Sequence, residues 1–128
     1  MTDHAQKAKA AAYAFIDAFN HQDHEALADT LNYPHIRLAN GRFVRVETRP
    51  DFVRMSQSNE PKLKAEGWHH TKVESCEVVH EGEDKVHLVI RNHRCRVDDS
   101  IYNTFDTLWI ATLIDGHWGI QFRSSYLR

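Results

Sequence analysis

At 128 residues the chain is the length of one domain and can bury about two-thirds of the surface its unfolded form exposes. Sixteen Lys and Arg against 18 Asp and Glu leave a net charge of −2, which supplies no field for nucleic acid or an anionic membrane surface. No apolar run nears the roughly 20 residues of a membrane span, Met1-Thr2-Asp3-His4 lacks the marks of an export signal, and two cysteines make no disulfide framework, so a soluble cytoplasmic protein with reduced thiols is expected.

Between Asp3 and Asn20 the apolar residues Ala8, Ala12, Phe15, Ile16 and Phe19 recur at helical spacing, predicting an amphipathic helix with one buried stripe. Asp23 caps a second helix with Ala26, Leu27 and Leu31 facing inward, and Pro34 ends it by forcing Tyr33 into an extended conformation. Asn40-Gly41 is a two-residue hairpin signal joining strands over 35–39 and 42–46. Thr48, with Asp51 three residues on, resembles a capping box and opens a third helix; Pro50 falls in its first turn, and Pro61 and Gly67 mark its end.

From Trp68 onward the pattern is strand. Residues 68–80 turn through Glu81-Gly82-Glu83-Asp84 into 85–97, which turns through Asp98-Asp99-Ser100 into a long hairpin centred on Asp115-Gly116. Counting outward from that turn pairs Leu113 with Trp118, Ala111 with Ile120, Trp109 with Phe122, Thr107 with Ser124 and Phe105 with Tyr126 on one face. The opposite face then carries Thr112 with Gly119, Ile110 with Gln121, Leu108 with Arg123 and Asp106 with Ser125. An even-numbered turn at Asp98-Asp99 sets Val86, Leu88 and Ile90 opposite Ala111, Trp109 and Thr107. It extends the inner face to Asn92 opposite Phe105 and Arg94 opposite Asn103. Cys76 and Cys95 fall on the outer face, Cys76 opposite Val89 and far from disulfide reach of Cys95. Three helices followed by a long antiparallel sheet with one apolar face is an α+β plan, in which the curved sheet wraps the helices into a cone.

The opening helix over Ala11-Ala12-Tyr13-Ala14-Phe15-Ile16-Asp17-Ala18-Phe19-Asn20, the Tyr33-Pro34-His35 corner and the ending Gly116-His117-Trp118-Gly119-Ile120-Gln121-Phe122-Arg123-Ser124-Ser125 resemble the nuclear transport factor 2-like superfamily. Within it the chain is most similar to the SnoaL-like group of small bacterial proteins. The resemblance spans essentially the whole chain and implies a single domain over 1–128, a cystatin-like roll of three N-terminal helices on a curved antiparallel sheet. It also implies a homodimer through the outer sheet face, where Val89, Leu108 and Ile110 stand beside a charged ladder of Glu74, Arg91, Asp106 and Arg123.

The inner face is apolar near the Asp115-Gly116 turn and becomes polar away from it. There Asn92, Arg94, Asn103, Thr107 and Ser124 gather beside Phe105, Trp109 and Tyr126, the make-up of a pocket for a small, largely apolar molecule. His35 is the candidate general base, because imidazole titrates near neutrality, and Tyr13 on the first helix or Arg94 is the candidate hydrogen-bond donor. Tyr13 resembles in position the helix-borne tyrosine of ketosteroid isomerases, whose carboxylate base has no counterpart at the Tyr33-Pro34-His35 corner. The resemblance thus implies cofactor-free isomerase, dehydratase or cyclase chemistry, while the catalytic sets of limonene epoxide hydrolases and scytalone dehydratases do not carry over onto this register. The alternative is a non-enzymatic association domain whose cone is filled by Phe15, Phe105, Trp109, Trp118 and Phe122. Ten histidines offer no metal-ligand spacing, His21 and His24 lying at a helix boundary and His69 and His70 on opposite strand faces, so neither metal nor other cofactor is expected.

Overall fold

In the computed structural model, which describes residues 2–128, local capping signals set where each helix begins. The Thr2 side chain accepts from the Ala5 N–H at 3.2 Å and starts α1 (Asp3–Asn20). Asp23 accepts from the Ala26 N–H at 3.1 Å and starts α2 (His24–Asp29), and Thr48 accepts from the Asp51 N–H at 3.3 Å and starts α3 (Arg49–Ala65). Each bond satisfies a donor that the first turn of a helix leaves open.

Two helix ends differ from expectation. Helix α3 runs through Pro61 and stops four residues later, where Gly67 at φ +91° donates to the Lys64 carbonyl and Trp68 donates to the Leu63 carbonyl, both at 3.1 Å. This paired closure with a left-handed glycine satisfies carbonyls the helix would otherwise orphan. Helix α2 is shorter than predicted, because Leu31 leaves it and opens β1 (Leu31–Ala39), within which the Tyr33–Pro34 peptide is cis.

With β2 (Arg42–Val46), β3 (His70–Glu81), β4 (Lys85–Cys95), β5 (Ile101–Ile114) and β6 (His117–Ser125), β1 forms one six-stranded sheet in the order β2-β1-β6-β5-β4-β3. Neighbouring strands run antiparallel except β1 and β6, which run parallel. Helix α1 lies along the inner face with Ala5, Ala8 and Ala12 buried, small side chains that let helix and sheet approach closely. Phe15 meets Trp109 edge-on at 4.7 Å between centroids, and Phe19 meets Trp68 at 5.1 Å. Under them Val86, Leu88 and Ile90 are buried.

The pairing of β4 with β5 follows the expected register from Val86–Ala111 through Asn92–Phe105 to Arg94–Asn103. The β5–β6 hairpin keeps it only for the first turns, through Leu113–Trp118, Thr112–Gly119 and Ala111–Ile120. Ile110 then pairs with Phe122 and leaves Gln121 over, so Trp109 faces Arg123, Leu108 faces Ser124 and Thr107 faces Ser125. The predicted Trp109–Phe122, Thr107–Ser124 and Phe105–Tyr126 pairs do not form. One extra residue turns over every side chain beyond it, which brings Arg123 and Ser125 inside and puts Phe122 and Ser124 outside.

The bulge has a tertiary cause. The Gln121 amide donates to the Pro34 carbonyl at 3.2 Å, and its oxygen accepts from Thr112 Oγ1 at 2.9 Å. Gly119 lies so close to β1 that a Cβ there would stand 2.7 Å from the Leu31 carbonyl carbon. The Gln121–Pro34 bond and the close approach of Gly119 hold β6 against β1, and the extra residue is Gln121 of β6 itself, tied also to Thr112 of β5. Strand β3 is irregular as well, which pairs Cys76 with Ile90 rather than Val89 and turns it into the core; Cys76 and Cys95 are both buried free thiols.

Candidate functional site

The open end of the cone holds a cavity of about 420 Å³. Strands β4 and β5 bring Asn92, Arg94, Phe105, Thr107 and Trp109 to its floor, and β1 brings His35, so six of the sequence-predicted residues meet there. Four do not. Ser124 points outward opposite Leu108, and Tyr126 lies beyond β6, 76% exposed. Asn103 sits at the rim with its amide donating to the Arg128 carbonyl at 3.2 Å, outside the cavity lining. Tyr13 is half-exposed on the side of α1 that faces Val73, Cys76 and Ile90, away from the cavity, so its hydroxyl is not a donor to that site.

His35 differs from its expected role. It is 1% exposed, and Nδ1 lies 3.1 Å from the Ile120 carbonyl, which can only accept, so that nitrogen carries the hydrogen. The lone pair of Nε2 accepts from Arg123 Nε at 3.1 Å. Burial, with the neighbouring Arg123 guanidinium next in weight, pushes the pKa down to about 3. A neutral imidazole whose lone pair is already engaged is no general base; it is a strut that orients Arg123.

Arg123 belongs to a cluster the sequence reading did not find. Its guanidinium lies 4.8 Å from the Phe15 ring centroid and 5.9 Å from that of Trp109, and in the parallel β1–β6 ladder its direct neighbour is Arg37. Burial, then the charges of Arg37 and Arg94, bring the Arg123 pKa down to about 9. Burial and Arg94 likewise lower that of Arg37. Arg94 lies between Phe19 and Phe105, at 6.0 and 5.9 Å from their centroids, and donates to Glu66 at 3.0 Å. Its buried Nε has no partner, nor has the carbonyl oxygen of Asn92, a residue 2% exposed. Among the described residues Arg37 and Arg123 form no ion pair, and Glu66 is the one acidic side chain lining the cavity.

The outer face of the same sheet is paired differently. Arg91 contacts Glu74 at 3.2 Å and Asp106 at 3.0 Å, and His93 contacts Glu74 at 3.0 Å, all among substantially exposed carboxylates. Arg123, expected in this ladder, is absent from it because of the bulge. At the far corner His70, Cys95 and Asp99 bring potential ligand atoms within 4.8 Å of one another. There one Asp99 oxygen meets His70 at 2.7 Å and the other meets the Lys72 ammonium at 2.5 Å, so the carboxylate is already paired with a cation. No described helix is long and apolar enough to cross a membrane.

Helices cradled in a curved, unclosed sheet, with the strand order found here, define the NTF2-like class of α+β cone. Residues 6–123 match the family model described as NTF2-like protein (DUF6841), and the chain belongs to that family. An NTF2-like protein of unknown function from Shewanella oneidensis MR-1 superposes with a TM-score of 0.75 at 18% identity, over 95% of this chain and 98% of its own. An NTF2-like protein with a cystatin-like fold from Novosphingobium aromaticivorans gives 0.74 at 15% identity, over 96% and 80%. A ketosteroid isomerase-like protein from Erwinia carotovora atroseptica gives 0.71 at 16% identity, over 99% and 98%. At such identities the likeness is one of fold. No curated protein matches the sequence.

Proposed function

We propose that the protein binds a small organic molecule in the cavity of its cone. The observation that carries this reading is the cavity itself: about 420 Å³ at the open end, which Phe15, Phe105 and Trp109 border without filling. That volume lies within the roughly 300–1,000 Å³ of small-molecule sites, and an apolar wall with a few convergent polar groups is their usual composition. The volume speaks against the association domain with a filled cone. One structural neighbour is described as ketosteroid isomerase-like, which is in keeping with a small-molecule role for the fold. Turnover by a single general base finds no support in the residues present. The imidazole of His35 is engaged on both nitrogens, and Glu66 is held by Arg94 and the Tyr102 hydroxyl. The reading is therefore binding rather than acid–base catalysis.

Val44, which lines the cavity from the edge strand β2, offers the test. A calorimetric screen of small aromatic and aliphatic molecules should find ligands for the wild type that Val44→Trp loses by filling the space. Ligands that bind the filled variant undiminished, or a screen without a single ligand, would sink the reading.

A further inference from the structure

We infer that the ligand of this cavity is an organic anion, its apolar body against Phe15, Phe19, Phe105 and Trp109 and its carboxylate or phosphate head seated among Arg37, Arg94 and Arg123. The inference rests on the cavity being a binding site and names the class of molecule it takes. Two arginines stand side by side in the β1–β6 ladder, a placement that destabilises a sheet unless something offsets the repulsion. Removing such charges from water is costly without a partner, and the cavity lining supplies one acidic side chain, Glu66, already shared between Arg94 and Tyr102. The cluster is thus built for a negative charge that the chain does not contain.

The geometry adds direction to the charge. His35 takes the Nε hydrogen of Arg123, which leaves the two terminal nitrogens of that guanidinium, the planar fork that suits carboxylate or phosphate, without a protein acceptor. The Arg94 Nε is a buried, unpartnered donor suited to an anion, whereas two residues along the same strand and face the buried Asn92 side-chain oxygen is an unpartnered acceptor that calls for a hydroxyl or N–H elsewhere on the ligand. These are unsatisfied groups around one space, and buried polar groups normally find a partner. Aromatic rings flank the Arg94 and Arg123 guanidiniums and part-bury them, so an ion pair formed there is screened less than one on the open surface. The cluster is recessed in a chain whose overall charge is −2, an arrangement for one small anion rather than for a polyanion surface.

Matched probes test this on the full chain. Calorimetry with 2-naphthoate against 2-naphthamide, octanoate against octanamide, and 2-naphthyl phosphate separates charge from shape. The anions should bind about 10-fold or more tightly than the amides, and their affinity should fall as NaCl rises. Whichever of carboxylate or phosphate binds better names the head group. Arg37→Gln and Arg123→Gln should each cost roughly 10-fold in anion affinity while amide binding stays within about twofold. Amides that bind the wild type as tightly as their acids overturn the anion inference and leave the cavity a neutral-ligand site. Failure of every probe, charged or not, overturns the binding reading together with it. The comparison in the wild type is decisive whether or not a variant folds.

Discussion

Arg91 on β4 and Arg123 on β6 stand on either side of β5 in one sheet, yet the protein treats them in opposite ways. Arg91 stands on the outer face between two carboxylates and in contact with water. Arg123 stands on the inner face over Phe15 and Trp109, beside Arg37, with an imidazole as its one hydrogen-bond partner. The outer arginine is part of a ladder in which each exposed pair contributes about 0–1 kcal/mol. The inner one is part-buried beside a like charge, an arrangement that costs stability where no acidic partner offsets it. The same residue type is paired with carboxylates on one side of the sheet and stands without one on the other.

Three experiments would break or sharpen that contrast. The largest effect is expected for Trp109→Ala, which removes the buried ring under Arg123 and should cost about 3–5 kcal/mol in urea unfolding. A midpoint close to that of the wild type would show that the inner arginine needs no aromatic shelf. The second concerns His35. Its pKa lies near 6.5 in the unfolded chain and at about 3 in the folded one, so between those values the unfolded state binds the extra proton and stability falls as the pH drops. By pH 4 this amounts to about 3 kcal/mol. His35→Gln, which can still accept from Arg123, should lose correspondingly less stability between pH 7 and pH 4. A difference between wild type and variant that stays constant across that range contradicts the assignment.

The smallest effect is the most direct comparison, because the two sides of the sheet should answer with opposite signs. Arg37→Gln relieves repulsion at Arg123 and should stabilise the ligand-free protein by about 1 kcal/mol, raising the melting temperature by a few degrees. Arg91→Gln removes a partner of Glu74 and Asp106 and should lower stability by about 0–1 kcal/mol. Equal signs in the two melting curves would mean that the inner cluster is already compensated.

The floor of the site was legible because it lies on strands with simple alternation. Val86, Leu88 and Ile90 fix which face of β4 is buried, and Asn92 and Arg94 continue the same face into the cavity. Trp109, Thr107 and Phe105 follow across β5 by pairing alone. Arg37 was within reach of the same reasoning, since it shares a strand face with His35. Arg123 was not, because a strict count from Asp115-Gly116 puts it outside. Tyr13 failed for a related reason. A position at the edge of a helical stripe leaves open which flank of the helix the neighbouring strand will cover, and β3 covers it here.

The sequence by itself determined what depends on near neighbours. Thr2, Asp23 and Thr48 open the helices, Asn40-Gly41 and Asp115-Gly116 close hairpins with both residues at positive φ, and period-two patterning builds a one-faced sheet. Tertiary structure alone decided which residues of β6 enter the site. Gln121 bonds to Pro34 and Thr112, and Gly119 admits Leu31 and Asn32 against β6, contacts between residues more than eighty positions apart for β1 and β6. They insert one residue into one strand, and because side chains alternate with period two, that single step carries Arg123 from the surface into the cavity.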